Sequence, residues 1–225
     1  VFTAVALLCS MALVANAETL SEENASVKTY TVQLGQATGV WYYFLHNATP
    51  TDGPVTLKYT VSEVKVALND GNIGVVASTD ANTTYPYKSG AAQFIGNAGT
   101  TSTLLTEGRT YTMVIGQNSD GTLSYSVTYV DDVNATSGSI DLPTAENNAS
   151  GAQFFGLYGS CTTVVKLTGV SCVDANGNDL GVALNSGMGG TGIGDCSVTA
   201  EGAPPATGDS FAVVLALAVL AVSAC

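Results

Sequence analysis

The chain has 225 residues, which leaves room for one domain with a sizeable core once its two apolar ends are set aside. Its 18 acidic residues face 6 basic ones, a formal net charge of −12, so a basic face for nucleic acid or anionic lipid is excluded. Only 11% of the residues are charged and the acids form no run, so they read as a solvated surface.

Residues 1–14 are almost wholly apolar, and Ala15-Asn16-Ala17 supplies the small-x-small pattern that a signal peptidase reads. The mature chain is expected to begin at Glu18. No initiator Met or basic segment precedes Val1, so the sequence is expected to start inside the leader. A lipoprotein signal at Cys9 is disfavoured, because Leu8 stands where a small residue is needed.

The body reads as strands in chain order. Residues 27–34 and 39–47 come first. Val55, Leu57, Tyr59 and Val61 then alternate with polar residues, and the apolar parity slips to Val64, Val66 and Leu68. A period of two predicts a strand, and the slip predicts a bulge near Ser62 and Glu63. Further strands are expected at 73–78 and 91–95, then at 111–115 and 123–129, the last two joined by a hairpin loop at 118–121. Residues 152–158 follow, and one more strand is expected to hold both Cys161 and Cys172. Residues 170–175 and 178–184 flank Asn176-Gly177, which predicts a hairpin with a type I′ turn. No segment after the leader shows a helical period over three turns. An all-β fold follows, a single antiparallel sandwich or barrel over residues 27–184. The Gly-dense stretch 185–206 reads as a flexible tether with a reach of roughly 25 Å.

The chain closes with Pro204-Pro205-Ala206-Thr207-Gly208 and the uncharged apolar run 211–225. This resembles the cell-wall sorting signal of Gram-positive surface proteins, whose pentapeptide is Leu-Pro-x-Thr-Gly. The resemblance rests on Pro205, Thr207 and Gly208; position 204 departs from it with Pro. It implies that a sortase cuts between Thr207 and Gly208 and links Thr207 to peptidoglycan. The membrane would be met only through the tail before sorting. The apolar run is shorter than the about 20 residues of a span and no Lys or Arg follows it, so the sequence is expected to be incomplete there as well. A plain membrane anchor and a GPI signal remain open alternatives. Five Asn-x-Ser/Thr sites, at Asn24, Asn47, Asn82, Asn134 and Asn148, bear on the GPI reading. About three would arise by chance at this Ser/Thr content.

In the body, the segments 39–44, 73–78, 105–113 and 154–158 follow one another as in concanavalin A-like (laminin-G-like) jelly-roll domains. Trp41-Tyr42-Tyr43-Phe44, Glu107-Gly108-Arg109-Thr110-Tyr111 and Phe154-Phe155-Gly156-Leu157-Tyr158 carry this resemblance. It implies a jelly-roll β-sandwich, with an immunoglobulin-like sandwich as the alternative. The expected organisation is a leader at 1–17, a sandwich at 27–184, a tether at 185–206 and a sorting signal with apolar tail at 204–225.

Candidate chemistry is sparse. Retaining glycosidases need carboxylates about 5–5.5 Å apart, yet Glu63 stands alone, Glu107 sits in a loop, and Asp131 and Asp132 should point to opposite faces. His46, the one His of the chain, is expected at a surface or rim. Removing the two ends leaves Cys161, Cys172 and Cys196, expected as buried or unpaired structural cysteines. No metal site is assigned. Calcium is possible, and the oxygen-rich 174–179 segment lacks the EF-hand pattern and is explained by its turn. Trp41, Tyr43, Phe154 and Phe155 are expected in the core. Asn82, Tyr85 and Tyr87 are the best ligand-binding candidates, in a predicted loop stiffened by Pro86. The expected function is a non-catalytic adhesion or glycan-binding module on the cell wall. A glycan-cleaving enzyme of the same fold and an inert structural domain are the alternatives.

Overall fold

The computed structural model describes residues 27–35, 42–67, 72–82, 92–98, 104–142, 150–160, 163–186 and 196–201. Among these residues there are twelve strands and no helix. They are β1 (Tyr30–Leu34), β2 (Tyr42–Asn47), β3 (Val55–Ala67), β4 (Asn72–Ser78), β5 (Ala92–Ala98) and β6 (Arg109–Gln117). The second half supplies β7 (Leu123–Asp131), β8 (Thr136–Ser139), β9 (Phe154–Ser160), β10 (Thr163–Asp174), β11 (Val182–Ser186) and β12 (Ser197–Ala200). They form a seven-stranded sheet, β12-β1-β10-β3-β6-β7-β8, and a five-stranded sheet, β11-β2-β9-β4-β5. Every pairing is antiparallel.

Alternation along the strands makes the two sheets a sandwich. Val55, Leu57, Tyr59 and Val61 of β3 are fully buried, while Lys58 and Ser62 are exposed. Their inner faces meet Leu45, Val75, Phe155 and Leu157 of the other sheet in one continuous core. Each large side chain so buried is worth about 1.5–3 kcal/mol. Tyr59 and Tyr111 stack at 5.2 Å between ring centroids. Their hydroxyls are used as well: Tyr59 donates to the Leu104 carbonyl (2.9 Å), and Tyr111 accepts the Thr106 N–H (3.1 Å).

The expected bulge is present. The register of β3 against β10 slips between the pairs Glu63–Lys166 and Val61–Leu167, leaving Ser62 as the extra residue. A second slip, at Lys65, turns the parity back, since Val64 pairs with Val165 and Val66 with Val164. The loop at 118–121 also closes as a hairpin, with Asn118 N–H on the Thr122 carbonyl (2.8 Å) and Gly121 N–H on the Asn118 carbonyl (2.9 Å).

Three expectations are corrected. The turn at Asn176-Gly177 is not type I′, since Gly177 has a positive φ (84°) and Asn176 does not. It is a three-residue loop with the glycine in the left-handed position, as at Gly121 (φ 83°). The hairpin it closes is short: after the Val173–Asp179 bridge the chain turns at Gly181 (φ 67°), and β11 pairs with β2 in the opposite sheet. The strand expected to hold both Cys161 and Cys172 is described from Thr163 onward as β10, which carries Cys172, while Cys161 lies outside the described residues. Finally, the stretch read as a tether contributes Asn185 and Ser186 to β11 and all of β12, so the compact unit runs Thr29–Glu201. β12 pairs with β1, and Glu201 accepts hydrogen bonds from the Thr29 and Thr31 hydroxyls.

Candidate functional site

The five-stranded sheet carries a second apolar layer on the side away from the core. Tyr43 and Leu45 of β2 point inward, so Phe44 and His46 point outward. Register places Phe44 beside Tyr158, and His46 beside Gly156 and Val76. Phe44, Val76 and Tyr158 are nevertheless fully buried, and His46 is 3% exposed. The His46 ring lies 4.3 Å from Phe44 and 5.4 Å, edge-on, from Phe154. Glycine is required in the floor of this layer, because a Cβ at Gly156 would stand 1.8 Å from the Leu45 carbonyl oxygen.

The loop after β4 reaches across this layer. Ser78 Oγ donates to the Asp80 carbonyl (2.8 Å) and accepts the Asp80 N–H (3.1 Å). The Asn82 N–H donates to Asp80 Oδ1 (2.8 Å). On the far edge of the sheet, Asn185 Nδ2 donates to the Ala81 carbonyl (3.2 Å). β4 and β11 are separated by β9 and β2, so the loop spans the outer face. Asn82 is exposed at its end. Tyr85 and Tyr87 lie outside the described residues. So do Ala15, Ala17, Pro205, Thr207 and Gly208, together with Trp41, Cys161 and the apolar run 211–225.

His46 is therefore not a surface or rim residue, which corrects the sequence reading. Burial lowers its pKa, opposed in part by its Nδ1 contact with the Asn47 carbonyl (2.8 Å). No acid or nucleophile among the described residues bonds to it. Tyr43 and Phe155 are core residues as expected, and Phe154 is half-buried against His46. Asn47 is fully buried and ties three segments together. Its amide donates to the Thr49 (2.7 Å) and Gln153 (2.9 Å) carbonyls, and its Oδ1 accepts the Phe155 N–H (2.7 Å).

A polar cluster at the edge between β6 and β7 was not foreseen. Asp131 is 3% exposed and takes Arg109 Nε (3.1 Å), Asn134 N–H (2.9 Å) and Asn134 Nδ2 (3.1 Å). The Asn134 bonds, then Arg109, hold its carboxyl below the usual range. Arg109 also lies 4.3 Å from the Tyr129 ring centroid. Counting outward from the Asn118–Thr122 closure pairs residue 109 with 131, as the register does, whereas a loop at 118–121 would pair it with 130.

The other candidate carboxylates are engaged locally. Glu107 Oε2 accepts the Val64 N–H (3.0 Å). In the oxygen-rich turn, Asp174 accepts the Asn176 and Asn178 N–H groups (2.8 and 2.9 Å) and Asn178 Nδ2 (2.8 Å), which lowers its pKa. Both Asp174 oxygens thus serve the turn. Burial pushes the Cys172 thiol up to about 12, far from a thiolate at neutral pH. Cys196 is half-buried, its S–H donating to the Gly35 carbonyl (2.9 Å). Among the described residues no three His, Cys, Asp or Glu side chains gather as a metal site, and no helix is long and apolar enough to cross a membrane.

No protein-family model, curated protein or solved structure matches the chain.

Proposed function

We propose that the chain is an exported jelly-roll module, anchored to a Gram-positive cell wall through Thr207, that binds a glycan or another surface ligand without acting on it. The jelly-roll reading is supported by the order of the sheets. β1, β2, β3 and β4 alternate between them, and β9 and β10 return between those strands in reverse, as in a rolled-up antiparallel ribbon.

The observation that carries the binding reading is the loop after β4. Its bonds to Ser78 and Asn185 fix it over a rigid sheet and leave Asn82 exposed at the start of the Tyr85–Tyr87 segment. The engagement of Glu107, Asp131 and Asp174 by local hydrogen bonds supports binding over hydrolysis.

Asn47 favours wall anchoring over a GPI anchor. It heads an Asn-x-Thr site, yet its amide nitrogen is buried and bonded twice. A glycan attached there before folding would prevent this core from closing, so the site suits export without N-glycosylation.

Two measurements test the proposal. Mass spectrometry of muramidase-released protein from the native host should find Thr207 as the C-terminal residue; a chain intact past Gly208 would refute wall anchoring. Incubating the ectodomain with polysaccharides should show binding without released reducing ends. Tyr87→Ala should weaken that binding by about 1–3 kcal/mol, by analogy with base stacking on aromatic rings, and leave the melting temperature unchanged. Released reducing ends would make the protein an enzyme, and no binding to any ligand would leave a structural domain.

A further inference from the structure

The outer face of the seven-stranded sheet differs in chemistry from the rest of this acidic molecule. Strand register sets its outward residues in rows. Thr60, Thr110, Val130 and Ser137 stand side by side, and Lys58, Thr112, Thr128 and Ser139 form the next row. A third holds Thr56, Val114 and Ser126. Hydroxyl groups therefore recur about every 4.8 Å across the strands and about 6.8 Å along them. The Thr60 and Thr110 hydroxyls are 2.8 Å apart.

Two further observations mark this face. The exposed large apolar side chains of the described residues gather here: Val114 (39%) and Val130 (50%) on the face, and Val133 (79%) in the turn beside it. No carboxylate stands in the three rows, in a chain of net charge −12. The nearest strand acid on this side of the sheet, Glu63, lies beyond Thr60 and is paired with Lys65 (3.7 Å); Asp131 of β7 is buried on the opposite side, and Asp132 stands in the turn with Val133. A face selected only for solubility in this molecule would carry acids.

We propose that these rows form a docking surface for an uncharged polysaccharide chain. Threonine and serine hydroxyls both donate and accept, as sugar hydroxyls do. The Thr and Val methyl groups offer apolar contact to the C–H faces of sugar rings. Neither partner has to strip water from a charge, apart from Lys58 at the margin of the middle row. A second copy of the chain fits less well, because interface cores are about 65% apolar and these rows are mostly hydroxyls. An anionic polymer would find one lysine. The inference rests on the glycan-binding reading and adds this face to the contact made at the tyrosine loop. Many weak contacts along one polymer supply the avidity.

The test is affinity electrophoresis through native gels containing a mannan, a galactan or a mixed-linkage β-glucan, with polygalacturonate as the anionic control and mobilities referred to a polymer-free gel. At least one neutral gel should retard the protein, and polygalacturonate should not. Thr112→Glu with Thr128→Glu, which puts two carboxylates into the middle row, should raise the dissociation constant by about tenfold or more. Thr112→Ser with Thr128→Ser should retain binding. If the Glu pair melts early, Ser126→Glu at an exposed position on the same face replaces it. Retardation that survives the Glu variants but is lost in Tyr87→Ala would overturn this surface and keep glycan binding. No retardation in any neutral gel would overturn both. Preferential retention by polygalacturonate, or self-association through this face in sedimentation, would also overturn the proposal.

Discussion

His46 lies between Phe44 and Phe154 in neutral form, and it is the one histidine of the chain. Its folded pKa is lowered by burial, whereas the unfolded side chain titrates near 6.5. Between those values the unfolded state binds a proton that the folded state refuses. Stability is therefore full above about pH 6.5 and falls as pH drops below it. Asp131, Asp174 and Glu201 have lowered pKa values, so their contributions are lost only near and below about pH 4. The interval from pH 5 to 7 thus isolates His46. Urea midpoints should fall between pH 7.5 and pH 5 for the wild type and stay level for His46→Phe. A wild-type midpoint that does not move would refute the buried-neutral assignment. Tyr43 gives a second residue-scale prediction. Its ring lies over Gly159, where a Cβ would come within 2.1 Å of it, and its buried hydroxyl has no hydrogen-bond partner among the described residues. An unsatisfied buried hydroxyl costs about 1–3 kcal/mol. Tyr43→Phe keeps the ring and should stabilise the fold by about 1 kcal/mol in chemical denaturation; a loss of stability would show that the hydroxyl is bonded.

At the scale of elements, β12 decides where the domain ends. Its four residues pair with β1, Val198 packs on the core, and Glu201 bonds the two threonine hydroxyls and the Thr29 carbonyl (2.9 Å from its N–H). These contacts make it part of the sheet. A protein ending at Asp195 should be less stable than one ending at Glu201 by about 2–4 kcal/mol, from lost backbone bonds and apolar burial. It should also be cut faster by protease in β1. Equal stability of the two proteins would return residues 196–201 to the tether. The element also shows why the tether reading failed. Ser197-Val198-Thr199-Ala200 has one large apolar residue, too short a pattern to register as a strand, and β1 supplies the edge that holds it.

For the molecule as a whole, the proposed export and wall anchoring can be tested through Asn47. Asn47 must reach the Thr49 and Gln153 carbonyls and the Phe155 N–H unmodified for the sandwich to close. Secreted from a eukaryotic host that N-glycosylates, the wild-type chain should be retained or aggregate wherever Asn47 is modified. Thr49→Ala removes the acceptor site and keeps the backbone carbonyl that Asn47 uses, so it should restore secretion. Recovery of folded wild-type protein with a glycan on Asn47 and an unchanged melting temperature would undo this reasoning, and with it the preference for wall anchoring.

The local pattern of residues by itself determined the strands other than β8 and β12, their inward faces, the bulge at Ser62 and the loop at 118–121, because alternation and turn chemistry act between neighbours in sequence. It also marked Tyr43 and Phe155 as core. Only the tertiary structure decided which strands pair. That choice sends β11 to β2 after its turn and recruits β12 to β1. The same holds for His46, whose outward parity suggests exposure until the loop from β4, held by Asn185, is seen to cross that face. Burial on the second face of a sheet depends on what arrives from distant parts of the chain, and no periodicity within a strand encodes it.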